Sequence, residues 1–360
     1  METRVIEDEA SLSALADAWR SLAPSIRHPF QELGWYAAWA RTIGTTGGRR
    51  LKCVTLWDSG RLVAVLPLVL RRYKGVRLLE WIGARVTDYC DAIIAPGVDA
   101  QDALRLLWRG LNREVGFDVM RVGQVRDDAV VSGFLGGLEH WVETREGAYS
   151  IPLAWSSGEE WLKSRNQKQR YEARRLMRQM DKEGYQFKVW KAPEPLEPML
   201  AAVIEQKQAW VRSRDARSFI TEPQGPEFIA ALAREMAALG MLHLSAVQYG
   251  GQFISCHLGF ERGDTLYYWM PTYDVAFAKK RVGNTLREYL IMSACDRGLK
   301  KFDMLLGAYE YKSLYDAVKE PLRTVVVPRG LLGRAAVAYY RFAAARADAP
   351  ATTEAPTEAA

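Results

Sequence analysis

Apolar residues fall in short dense runs separated by glycine-containing turns, and the order of those runs repeats along the chain. Leu51, Cys53, Val54, Leu56 and Trp57 form one β-rich run, Asp58-Ser59-Gly60 a turn, and residues 62–70 a second run. An Asp/Ser/Gly cluster between two such runs predicts a hairpin. The pattern returns at residues 242–249, turns at Gly250-Gly251, and resumes from Phe253 to Phe260. A helical segment follows in both halves. Ala103, Leu104, Leu107, Leu111 and Val115 recur at three- and four-residue steps, as do Leu286, Tyr289, Leu290 and Cys295 less regularly. Gly298 stands just past the second helix, where a left-handed cap favours glycine. Each half then opens a short strand with the same dipeptide, Phe117-Asp118 and Phe302-Asp303. A degenerate internal duplication accounts for this order, chance matching of short elements being the alternative. The expected class is α/β, with mixed sheets and helices packed on them in two lobes.

Between the halves, Ile151-Pro152-Leu153 ends the first lobe and a long helical segment spans about 157–183. Prolines 193, 195 and 198 mark a break, and further helices are predicted near 199–213 and 226–239. The chain is thus divided as a first lobe (1–152), a helical connecting segment packing on the second lobe (153–240), a second core (241–330) and a disordered Ala/Thr/Pro/Glu-rich tail (344–360).

Composition adds limits rather than identity. Of 360 residues, 49% are hydrophobic and 26% charged, an ordinary globular balance. No apolar run approaches the roughly 18–20 residues of a membrane span, and the acidic N-terminus lacks a secretion-signal core, so a soluble cytoplasmic protein is expected. Cys53, Cys90, Cys256 and Cys295 stand far apart among apolar residues, the usage of reduced buried thiols and not of a metal site. The net charge of +6 is concentrated in Arg165, Lys168, Arg170, Arg174, Arg175, Arg178 and Lys182. Arg170, Arg174 and Arg178 share a helix face that could meet an anionic partner or simply face water.

Candidate chemistry gathers in the second half. Lys279-Lys280-Arg281-Val282-Gly283-Asn284-Thr285 opens a helix, where backbone N–H groups and the helix dipole attract phosphate. Gly283 permits close approach, and Asn284 or Thr285 could cap the helix. Gly307-Ala308-Tyr309-Glu310-Tyr311-Lys312 follows a strand, placing Glu310, Tyr311 and Lys312 as acid–base candidates, with a surface Glu310–Lys312 ion pair as the alternative. His257 lies in an apolar strand beside Cys256, a core or pocket-lining position that also makes it a catalytic candidate. Asp88 and Asp91 cluster acidity after a strand, either as an amine-binding pair or as turn formers. Trp155, Trp161, Trp190 and Trp210 hint at an acceptor cleft between the lobes, with core packing as the other reading.

The succession of hairpin, strand, Tyr273-Asp274 turn, basic glycine loop, helix, Gly298, Phe302-Asp303 strand and Gly307-x-x-Glu310-x-Lys312 resembles the GNAT superfamily. In particular it is similar to the CelD/BcsL-like acyltransferases, relatives of the FemAB-type tandem-GNAT proteins. Phe30-Gln31 with Trp35 and Trp39, Asp88-Tyr89-Cys90-Asp91, and Ser164-Arg165-Asn166-Gln167 extend the likeness over most of the chain. The resemblance implies two GNAT-like lobes and a GNAT-type N-acyltransferase that moves an acyl group from acyl-CoA or acetyl-CoA to an amine or hydroxyl. Lys280, Arg281, Val282, Gly283, Asn284 and Thr285 would hold the donor pyrophosphate, with a backbone N–H within Tyr268, Trp269 and Met270 polarising the carbonyl. Glu310 would be the base, with Tyr311, Lys312 and His257 beside it, and Asp88, Asp91, Tyr273 and Asp303 would receive the acceptor. The implied acceptor is a small or glycan-linked molecule, in exopolysaccharide or cell-envelope synthesis, and a homodimer is compatible with it. Two alternatives stand. FemAB relatives use aminoacyl-tRNA, although no heptad run long enough for their coiled-coil arm occurs here. Thr285 stands where the superfamily pattern wants a small residue, which leaves room for an inactive scaffold or regulatory partner.

Overall fold

The computed structural model describes residues 1–216, 218–307, 312 and 314–347. The chain opens with β1 (Glu2–Ile6) and the helices α1 (Glu9–Ser13), α2 (Ala16–Trp19) and α3 (Leu33–Arg41). The chain continues through β2 (Arg50–Leu51), β3 (Cys53–Asp58), β4 (Arg61–Leu66), β5 (Leu68–Tyr73), β6 (Val76–Trp81), β7 (Ile93–Ile94), α4 (Ala100–Glu114), β8 (Val119–Arg126), α5 (Val130–Gly136) and β9 (Trp141–Pro152). The middle segment holds α6 (Gly158–Ser164), α7 (Gln167–Glu183), β10 (Gln186–Val189), α8 (Glu197–Arg212) and α9 (Gly225–Ala238). The remainder is β11 (Leu242–Tyr249), β12 (Gln252–Arg262), β13 (Thr265–Tyr273), α10 (Val282–Asp296), β14 (Lys301–Leu306), β15 (Val318–Pro328) and α11 (Gly330–Ala347).

Local signals account for the hairpins. Gly250 and Gly251 both have positive φ (56° and 82°), the geometry that a two-residue hairpin turn needs and that glycine adopts without steric cost. The run read as one strand over 62–70 is two. Pro67 has no N–H to donate, so the ladder breaks there and β4 and β5 enter different sheets. The long helix expected over 157–183 is also two, because the side chain of Asn166 accepts from the Gln169 amide (2.9 Å) and restarts the helix. At the C-terminus α11 runs to Ala347, into the stretch expected as tail, while 348–360 lie outside the described residues.

Strand pairing crosses between the halves. A small sheet has the order β1-β3-β4-β7, and an eleven-stranded sheet runs β10-β11-β12-β13-β14-β9-β15-β8-β6-β5-β2. β9, from the first half, pairs antiparallel with β14, and β15, from the far end of the chain, pairs antiparallel with β8 and β9. Each lobe is therefore completed by a strand from the other. α8 packs on β12 and β13, while α6 and α7 pack on α10.

An aromatic cluster sits where the lobes meet. Trp35 of α3 is fully buried, with its ring 4.8 Å from Phe30, 5.2 Å from Trp269 and 5.5 Å from Phe260. Its indole N–H donates to the Thr87 hydroxyl (3.0 Å), so the ring is satisfied at its polar edge as well as packed. The four cysteines are buried and unpaired. Among the described residues no helix is long and apolar enough to cross a membrane, and no group of three or more His, Cys, Asp or Glu side chains could hold a metal ion.

Candidate functional site

β13 and β14 run parallel, but their ladder is short. It pairs Thr265 with Lys301, Leu266 with Phe302 and Tyr267 with Asp303, and there it stops. Beyond it, Tyr268–Tyr273 and Met304–Leu306 diverge into the wall of a cavity of about 500 Å³. The same cavity is lined by Gly283, Asn284 and Arg287 of α10, by Lys207 and Trp210 of α8, by Arg214 just beyond it, and by the loop Ala84–Asp88 of the first lobe.

The divergence is held by a lysine. β14 carries a bulge between Asp303 and Leu305, and Leu305 sits at φ 59°, a left-handed conformation that costs a branched residue about 1–3 kcal/mol. The Lys312 ammonium donates to the carbonyls of Met304 (2.9 Å), Leu305 (2.8 Å) and Leu306 (2.8 Å). These bonds turn the carbonyls at the end of β14 toward the buried lysine. Burial pushes the Lys312 pKa down to about 8, against the opposing pull of the Asp88 and Asp303 carboxylates. The Lys312 ammonium, a candidate for holding an anion or pairing with Glu310, also holds the backbone at the end of β14. Glu310 and Tyr311 lie outside the described residues.

At the other end, Arg281 adopts a left-handed conformation (φ 58°) and α10 starts with no side-chain cap, so Asn284 and Thr285 do not cap it. The amides of Asn284 and Thr285 reach back to the Arg281 carbonyl (3.0 and 3.1 Å), and Thr285 is buried. The N–H groups of Val282 and Gly283 precede the first such bond and have no acceptor within their own helix. A Cβ on Gly283 would stand 3.3 Å from the Tyr273 ring, so glycine here keeps the backbone at the cavity face. Lys280 and Arg281 turn away. Lys280 pairs with Glu183 (3.2 Å) and Arg281 with Glu172, both on α7, and they line a separate pocket of about 110 Å³. The basic helix is partly consumed in the same way, with Arg174 paired to Glu159 and Arg170 donating to the Lys163 carbonyl (2.9 Å).

The remaining candidates divide. Asp88, half-buried, lines the large cavity, as do Tyr268, Trp269, Met270 and Tyr273. Asp91 and Asp303 face a different cavity of about 190 Å³. Asp91 accepts from the amides of Ala92 (2.8 Å), Val130 (2.7 Å) and Val131 (3.0 Å), which ties it to the start of α5; burial raises its pKa to about 6. Asp303 accepts from the Tyr89 hydroxyl (2.8 Å) and the Leu305 amide (2.9 Å), a structural duty at the bulge. His257 takes the core position, one of the two readings its strand allowed. It is fully buried, stacked 4.6 Å from Tyr268, and absent from the cavity wall, and burial pushes its pKa well down.

Sequence reasoning missed several wall residues, among them Lys207, Arg214 and Arg287. Lys207 and Arg214 fall three before and four after Trp210, a spacing that a helical-face reading could have grouped. Arg287 was hidden by the irregular stripe of α10; its guanidinium donates to the Tyr315 hydroxyl (3.0 Å) and to the Asn284 side-chain amide oxygen Oδ1 (3.1 Å).

Residues 167–313 match the family described as Acetyltransferase (GNAT) domain. This segment contains β13, α10 and β14 and thus one side of the cavity. A search of curated proteins found no match. Among solved structures, the crystal structure of FemX covers 90% of this chain and 97% of its own at a TM-score of 0.60 and 10% identity. The C-terminal domain of a putative lysylphosphatidylglycerol synthetase from Agrobacterium fabrum covers 92% and 96% at 0.57 and 12% identity. L-PGS from Bacillus licheniformis covers 88% and 92% at 0.55 and 13% identity. These likenesses show the fold, a mixed α/β architecture with large mixed sheets, and the GNAT match lies within its residues 167–313.

Proposed function

We propose that the chain is a GNAT-type acyltransferase that moves an acyl group from acyl-CoA to an amine of an acceptor bound in the 500 Å³ cavity. The observation that carries this reading is a coincidence of two features on one cavity: a parallel strand pair that opens after Tyr267–Asp303, and a helix N-terminus that has no side-chain cap.

The residues present fit such a donor. The first turn of α10 at Gly283 and Asn284 offers N–H groups and the positive end of its dipole to a pyrophosphate. The open edge of β13 within Tyr268–Met270 offers a main-chain N–H to a thioester carbonyl, where negative charge develops during transfer. In the reaction the amine nitrogen bonds to the carbonyl carbon, the C–S bond breaks, the nitrogen loses a proton and the thiolate gains one. Asp88 draws in the acceptor ammonium from the first-lobe side. Lys312 positions β14, and Glu310 is assigned the base role on its place in the sequence. The lobes are drawn at 1–152 and 241–330, and the CelD/BcsL-like resemblance supplies exopolysaccharide synthesis as the context.

Thermal denaturation with acetyl-CoA and longer acyl-CoA esters tests the reading. A ligand at a hundred times its Kd adds about 2.7 kcal/mol to the stability of the state it binds. An upward shift is expected. Melting curves left unmoved by every CoA ester would overturn the donor, and stabilisation by aminoacyl-tRNA that fades with salt would favour the alternative donor instead.

A further inference from the structure

The cavity has a second cationic pole that the acyl-transfer reading leaves unused. Trp210 carries two cations over its ring, the Lys207 ammonium at 4.7 Å and the Arg214 guanidinium at 4.2 Å, and all three line the cavity. The other cations on this wall are engaged. Arg85 pairs with Glu222 (2.8 Å), Arg287 donates to Tyr315 and Asn284, and Lys312 donates to three carbonyls. Among the described residues neither Lys207 nor Arg214 has a carboxylate within ion-pair distance. Two like charges held over one ring repel each other, and burial together with Arg214 lowers the Lys207 pKa to about 8. An oxyanion bound between them would relieve that repulsion, accept a charge-assisted bond from each, and keep the indole as their common support. The pole belongs to α8 and the turn beyond it, whereas the donor end is built by α10.

We infer that Lys207, Trp210 and Arg214 form an oxyanion site for the acceptor, which is therefore a phosphorylated or carboxylated molecule. The assignment to the acceptor rests on the acyl-transfer reading. The oxyanion site itself rests on the cavity alone.

Calorimetric titration of the full chain with pyrophosphate and with citrate, run beside acetyl-CoA thermal shifts, separates the two. Wild type should bind at least one anion; pyrophosphate alone marks a phosphorylated acceptor and citrate alone a carboxylated one. Lys207→Gln and Arg214→Gln should each weaken that binding roughly tenfold and together about 100-fold, with the acetyl-CoA shift retained. Lys207→Arg should keep most of the binding, which guards against a fold defect in the glutamine variants. Gly283→Asp should do the reverse, losing the acetyl-CoA shift and keeping the anion. No anion binding by wild type, or full binding by the double variant, overturns the site. Loss of the acetyl-CoA shift in the folded double variant overturns the acceptor assignment, because the cations would then serve the donor. If acetyl-CoA shifts no variant but the double variant still loses the anion, the acyl-transfer reading fails while the oxyanion site stands.

Discussion

Each half of the chain contains one parallel strand pair, and only the second opens, together with a helix N-terminus, onto the 500 Å³ cavity. In the first lobe β6 pairs with β8 at Leu78–Val119 and Leu79–Met120. Past the last pair stands Trp81, buried, whose indole N–H donates to the Gly123 carbonyl (3.1 Å) and bridges the strands. The preceding helix, α4, has its N-terminus filled: Asp99 accepts from the Asp102 amide (2.8 Å), and Asp102 adds a second acid in the first turn. In the second lobe the corresponding opening after Tyr267–Asp303 is lined by cavity and α10 starts uncapped. The contrast teaches that this site is made by omission. In the first half an indole bridges the strand pair and carboxylates fill the start of α4; in the second, among the described residues, neither is present, and the strand pair and the start of α10 line one cavity.

Breaking the contrast at its most sensitive point should have the largest effect. Gly283→Asp places on α10 the acid that α4 already has. It should abolish the acetyl-CoA thermal shift and lower acyl transfer at least 100-fold, with a melting temperature near wild type without ligand. A retained shift would sink the assignment of this helix to the donor. Next comes Lys312→Met, which leaves three carbonyls at the end of β14 without their buried donor. We expect a loss of about 2–4 kcal/mol in chemical denaturation together with loss of donor binding, since Leu305 would relax from its left-handed conformation.

Closing devices in the first lobe should matter less and only for stability. Asp99→Ala removes a helix cap and should cost about 1 kcal/mol by denaturant titration. Trp81→Phe removes one buried donor and should cost a similar ~1 kcal/mol. Neither should alter the acetyl-CoA shift; if Trp81→Phe does, the first lobe is not merely structural. The smallest expected effect is a pH slope. With the Lys312 pKa lowered from 10.5 to about 8 in the folded chain, the unfolded chain binds more protons between those values. Its contribution to stability therefore rises with pH across that window. The difference in unfolding free energy between wild type and Lys312→Met, followed from pH 7.5 to 10, should show this slope, and a flat difference would mean the lysine is not held as the structure shows.

Much of the second lobe was legible in the sequence because its signals are local. The Gly250-Gly251 turn, the glycine at 298 after α10 and the Phe302-Asp303 strand each need only a few neighbouring residues to be read. The parts that escaped are those whose partners lie far away. β9 and β15 show no strong alternation, and their exchange between lobes joins residues such as Val326 and Arg121. The cationic pair on Trp210 lies on one helix but gains its meaning from the cavity opposite. Lys280 and Arg281 read as phosphate ligands until α7 supplied Glu183 and Glu172.

The sequence by itself determined the turns and the amphipathic faces, hence most of the elements and the class of fold, because backbone conformation and solvent-facing polarity are decided over a few residues. It also singled out Gly283 and Lys312. What those residues do was decided only in the tertiary structure. Burial turned Lys312 from a free cation into a clamp on three carbonyls, walled His257 away from the cavity and sent Asp88 and Asp91 to different cavities. The role of an ionisable group depends on which distant backbone and side-chain atoms share its low-dielectric surroundings, and those come together only when the chain has folded.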